Sequence, residues 1–156
     1  MPDGHSRSVP DRRRVPRGGR RTTDRSGKHP TVLVAESDDL VRQSCARYLD
    51  RFNFRVAEAA DGEQALTEIA AEPPQVILAE LQLPAMPVWR LAHWLSQSWR
   101  TRQIPVIVLT GDVDASDPSV PQEFRNLVAG ILVKPFTLNT MLDEIRRVLR
   151  VPVARA

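Results

Sequence analysis

The chain has 156 residues, of which 42% are hydrophobic and 26% charged, with one cysteine and a formal net charge of +3. That length supports one domain around one core, and a lone cysteine excludes a disulfide framework or a thiolate metal cluster. No apolar run approaches the ~20 residues needed to cross a bilayer, so no membrane association and a cytoplasmic location are expected.

The charge is unevenly spread. Residues 1–29 hold nine basic residues against Asp3, Asp11 and Asp24, a net of +6, whereas residues 30–156 hold 13 basic and 16 acidic residues, a net of −3. Residues 1–29 carry Gly, Pro and Ser but no aromatic residue and no apolar periodicity, so a disordered arm is expected there. Its arginines could hold nucleic acid by counterion release. Nothing in the arm could read a base, and a solvated tail is the plainer reading.

Beyond the arm, short apolar runs alternate with segments of helical spacing. A strand over 31–35 leads into Glu36-Ser37-Asp38-Asp39, and Val41, Cys45, Tyr48, Leu49 and Phe52 then repeat at helical intervals. Phe54-Arg55-Val56 alternates, which fits an edge strand over 53–58. Asp61-Gly62-Glu63-Gln64 opens a second helix, with Asp61 as cap and Gln64 reaching back, and Leu66 and Ile69 turned inward. A third run, 75–80, ends at Glu80. From Val88 to Arg100, Val88, Leu91, Ala92, Leu95 and Trp99 form one stripe at 100° per residue and should face the sheet. Trp89 and Trp94 fall on its flanks, where exposed tryptophans can mark a partner surface. Strands over 105–110 and 130–134 end at Thr110 and Lys134. A last helix carries Leu138, Met141, Leu142, Ile145, Val148 and Leu149. Only a short tail, Val151 to Ala156, follows, so a stand-alone domain of residues 30–150 with no output domain is expected.

Strand alternating with helix implies an α/β fold, a parallel sheet covered on both faces. Ligands of such sheets bind outside the carboxyl ends of the strands. Glu36, Glu80, Thr110 and Lys134 all fall at that edge. Lys134 is one of only two lysines among 22 basic residues, as a site needing a compact cation on a flexible stem would require.

With these residues in order, the chain resembles the receiver domain of bacterial two-component response regulators over about residues 30 to 150. The matching segments are Val32 to Arg42, Phe54 to Leu66, Leu81 to Met86 with Pro84, Pro105 to Thr110, and Lys134-Pro135-Phe136. The resemblance implies a flavodoxin-like, doubly wound sheet in the order 2-1-3-4-5. It implies a phosphoacceptor position at Glu80, an acidic pocket at Glu36, Ser37 and Asp38, and switch positions at Thr110 and Ile131. Lys134 and Pro135 match the phosphate-binding lysine and its proline, and a sensor kinase or a downstream effector is the implied partner.

The departures bear on chemistry. The family has aspartate where Glu80 stands, two carboxylates where Glu36-Ser37 stands, often an aromatic where Ile131 stands, and Asp-Gly where Pro87-Val88 stands. Taking Asp38-Asp39 as the acidic pair would break the ungapped match through Leu40-Val41-Arg42. Magnesium wants near-octahedral oxygen ligands, and Ser37 removes a charge, so Glu36 and Glu80 would bind the ion only weakly. Glu80 reaches about 1.5 Å further than aspartate, which misplaces a nucleophile that depends on positioning. Signalling by protein contact without phosphorylation is therefore expected, with Glu80 paired to Lys134 and the face of helix four, strand five and helix five held in one state. The alternatives are self-phosphorylation at Glu80 and a nucleic-acid role for the arm.

Overall fold

The computed structural model describes residues 29–111 and 122–150. The expectations for residues 1–28 of the arm and for the tail fall outside those residues. Five strands are present: β1 (Thr31–Ala35), β2 (Arg55–Ala59), β3 (Val76–Glu80), β4 (Val106–Thr110) and β5 (Val128–Val133). All pair in parallel in the order β2-β1-β3-β4-β5, the flavodoxin-like arrangement.

β1, β3 and β4 are interior and almost wholly apolar, as strands covered on both faces must be. Alternate side chains therefore enter two separate cores. Val32, Val34, Leu78, Ile107 and Leu109 meet α1 (Asp39–Arg51) and α5 (Leu138–Arg150) through Cys45, Leu49, Met141, Leu142 and Ile145. Leu33, Ala35, Ile77, Ala79 and Val108 meet α2 (Gly62–Ala71), α3 (Val88–Ser96) and α4 (Gln122–Leu127) through Ala65, Ile69, Leu91, Leu95 and Phe124. The sheet is thus rigid from both sides, and its carboxyl edge is a fixed platform.

Helix starts follow the local chemistry. Asp38 caps α1 by accepting from the Leu40 and Val41 amides. Asp61 caps α2 by accepting from the Gln64 amide, and the Gln64 side chain reaches back as read from sequence, though to the Ala60 amide at 2.9 Å, one residue before the cap of a strict capping box. α3 begins at Pro87 with no side-chain cap.

Several expectations shift. β2 starts at Arg55 because Asn53, at φ 67°, turns the chain in the left-handed region first. β5 starts at Val128, and its pairing with β4 slips between Val106 and Ile107, a bulge that periodicity does not reveal. Phe52 lies at the cap of α1 and is 39% exposed, and Leu66 packs only at the rim of its core. Trp99 was expected to face the sheet, yet it is 78% exposed. The reason is that α3 ends at Ser96. The Thr101 hydroxyl donates to the Leu95 carbonyl at 2.7 Å and the Arg102 amide to the Ser98 carbonyl at 2.9 Å, so the chain reverses and the helical period no longer applies.

Candidate functional site

Each interior strand delivers its last residues to the same edge. β1 ends at Ala35 and hands on Glu36, whose amide donates to the Ala59 carbonyl of β2 at 3.0 Å. β3 ends on Glu80 itself, β4 on Thr110, and β5 delivers Lys134, whose amide donates to the Thr110 carbonyl at 2.7 Å. The Lys134–Pro135 peptide bond is cis. The fold therefore brings Glu36, Ser37, Glu80, Thr110 and Lys134 together.

Glu36 is fully buried and Lys134 approaches both of its oxygens. Lys134 Nζ donates to Oε1 at 2.9 Å and lies 2.9 Å from Oε2, off the direction of a hydrogen bond to the second oxygen. A buried carboxylate without such a counter-ion would be strongly disfavoured. The Asp38 amide adds a longer bond to Oε1 at 3.3 Å. Glu80 is held differently. Its Oε2 accepts from both the amide and the hydroxyl of Ser37, at 3.1 and 2.7 Å, while its Oε1 stays 3.8 Å from Lys134 Nζ. The expected Glu80–Lys134 ion pair is present but long, and the nearer partner of Lys134, which the sequence did not single out, is Glu36. Glu36 is the more buried of the two acids and has the greater need of a cation.

Asp38 also takes a different part from the one expected. Its carboxylate caps α1 and only its backbone turns toward Glu36. Ile131 is half exposed on β5, and Thr110 is buried. Sequence did not single out Arg42, which donates to the Glu36 carbonyl at 2.9 Å and to Asp39 at 2.6 Å, with Glu58 of β2 at 3.4 Å. The i,i+3 spacing to Asp39 was legible, but the other two partners come from elements that only folding brings near. Cys45 lies under the pocket on α1. Burial, and next the charge of Glu36, push its thiol up from 9.0 to about 11, so it is neutral and inert near neutrality.

This carboxyl-edge geometry on a 2-1-3-4-5 sheet coincides with a sequence match: the profile of the response regulator receiver domain matches residues 32–146. The chain belongs to the response regulator receiver domain family. As a receiver it is 32% identical over 121 residues to the transcriptional regulatory protein AfsQ1 of Streptomyces coelicolor, covering 78% of this chain and 52% of that protein. It is 30% identical over 120 residues to the C4-dicarboxylate transport transcriptional regulatory protein DctD of Pseudomonas aeruginosa, covering 77% of this chain and 25% of that protein. The chain thus spans about half or less of the length of these relatives. Among solved structures, the chemotaxis response regulator CheY4 of Vibrio cholerae superposes with a TM-score of 0.71 at 26% identity, over 78% of this chain and 99% of that one. The receiver domain of sensor histidine kinase PA1611 from Pseudomonas aeruginosa, described with magnesium in its active-site cleft, shares the fold at a TM-score of 0.70 and 20% identity, over 79% of this chain and 99% of that one.

The magnesium ion described in that receiver raises the question of fit, and here the donors do not suit the ion. Among the described residues no cluster of three or more His, Cys, Asp or Glu side chains is placed to hold a metal. Glu36 faces an ammonium across both oxygens, and Glu80 Oε2 already takes two donors from Ser37. A hydrated divalent cation would have to displace Lys134 to reach Glu36. No helix among the described residues is long and apolar enough to cross a membrane.

Proposed function

We propose that this receiver domain signals through protein contact without depending on phosphorylation, and that its pocket is a closed latch and not a phosphoryl-transfer site. In this reading Glu80 occupies the phosphoacceptor position as a resident carboxylate, Lys134 neutralises Glu36, and Thr110 and Ile131 stand at switch positions that no phosphoryl group drives. The observation that carries the reading is the double hydrogen bond from Ser37 to Glu80 Oε2. A nucleophilic oxygen that accepts two donors is less reactive. The residue supplying them stands where a metal-binding carboxylate would otherwise help to position a phosphodonor. A sensor kinase or downstream effector is the class of partner, engaged through a surface held in one state.

The test is incubation of the full chain with radiolabelled acetyl phosphate and magnesium, read by hydroxylamine-labile incorporation and by peptide mapping. No incorporation is expected, and thermal melts with and without millimolar magnesium should coincide. Label at Glu80, or a rise of several degrees in Tm with the ion, overturns the reading.

A further inference from the structure

The stretch from Leu81 to Gly111 contains all three tryptophans of the chain and Arg90, Arg100 and Arg102, and not one aspartate or glutamate. The rest of residues 30–156 holds ten basic and 16 acidic residues, a net of −6, so positive charge and indole rings are segregated together on an acidic domain. They also share a place in the fold. α3 runs back from the pocket, and the turn after it feeds the start of β4, so Trp94, Trp99 and the arginines of the turn lie toward the sheet edge opposite Glu80. Arg90 and Trp94 are exposed one helical turn apart, and Arg100 is exposed beside Trp99.

The most exposed of these rings is not on a loose loop. Thr101 is buried, and its hydroxyl donates to Leu95 on α3 at 2.7 Å. Its amide donates to the Ser98 carbonyl at 3.1 Å, and the Ile104 amide donates to the Thr101 carbonyl at 3.0 Å. This turn fixes the backbone on both sides of Trp99 and holds the ring in water at 78% exposure. Leaving a large apolar ring so exposed is unfavourable unless something covers it.

We propose that the Trp94–Arg102 turn is a docking site for a protein segment that sets one apolar side chain against Trp99 beside a carboxylate that faces Arg100, with further acidic residues running back along α3 toward Arg90. Tryptophan and arginine at the centre of a fixed patch are what binding hot spots are made of, and the absence of any acid in the stretch selects an acidic partner. Single-stranded nucleic acid would call for successive stacking rings along a basic track. Here Trp94 is only 39% exposed and Trp89 is packed against the core, so a single ring is fully presented.

The test is selection from a random peptide display library on the full chain, with counter-selection on Trp99→Ala. Selected peptides are then titrated by tryptophan fluorescence. Expected are sequences with one apolar anchor flanked by Asp or Glu. Their Kd should rise at least about tenfold with Trp99→Ala or Arg100→Glu and rise with salt, while the variants keep the wild-type Tm. An oligothymidylate and phosphatidylglycerol vesicles serve as competing probes. The proposal is overturned if no peptides survive counter-selection, if the survivors lack acidic residues, or if affinity is indifferent to both variants. It is equally overturned if either competing probe perturbs Trp99 more tightly than the best peptide.

Discussion

At the scale of single residues, the pocket contains two acids in unequal positions, and substitutions should separate them. Lys134→Met leaves Glu36 buried with only the Asp38 amide near Oε1, and should cost about 3 kcal/mol. Adding Glu36→Gln to it should restore part of that loss, because no unpaired charge then remains. Glu80→Gln should cost about 1 kcal/mol or less, since an amide oxygen still accepts from Ser37. Urea unfolding of the four proteins checks the order, and a Glu80→Gln cost equal to that of Lys134→Met would put Lys134 back with Glu80. Cys45 gives a pH test. Its pKa is raised on folding from 9.0 to about 11, so its contribution is complete below pH 9 and is lost as pH rises toward 11. Wild type should therefore lose about 2 kcal/mol relative to Cys45→Ala across that window, measured as the pH dependence of the difference between their urea midpoints.

At the scale of elements, the pocket floor is steadied by a contact between the start of α2 and the loop after β3. The Gly62 amide donates to the Pro84 carbonyl at 2.9 Å, and a Cβ at Gly62 would meet Met86 Cβ at 2.2 Å and its carbonyl oxygen at 2.8 Å. Gly62→Ala should therefore force that loop outward and destabilise the domain by about 1–3 kcal/mol, with amide exchange rising over residues 81–87 in the same measurement. Strand order, the two-sided core and the α2 cap were legible because apolar runs and cap residues are local signals. The four strand-end residues were legible too, since each ends its own run. What sequence could not supply was pairing across strands. It takes the folded edge to show that Lys134 reaches Glu36 before Glu80, that Arg42 joins the Glu36 carbonyl to Glu58, and that Asp38 spends its carboxylate on α1. Trp99 was misplaced because a turn closed by the Thr101 hydroxyl is invisible to a 100° periodicity.

At the scale of the whole molecule, restoring carboxylates should exchange one kind of stability for another. Glu80→Asp with Ser37→Asp places three acids against Lys134. The double variant should melt below wild type without magnesium, recover with the ion, and incorporate phosphoryl label, while each single change does less. A double variant that stays blind to magnesium would mean that the pocket's inertness lies elsewhere than in Ser37 and Glu80. The Ser37–Glu80 bonds also have a consequence in time. An acyl phosphate is a mixed anhydride and hydrolyses, so a state written in that form expires. Two hydrogen bonds from a neighbouring serine re-form whenever the chain folds and carry no clock. A receiver closed in this way would report how many copies are present, and control over it would pass to synthesis, degradation and the abundance of whatever it touches.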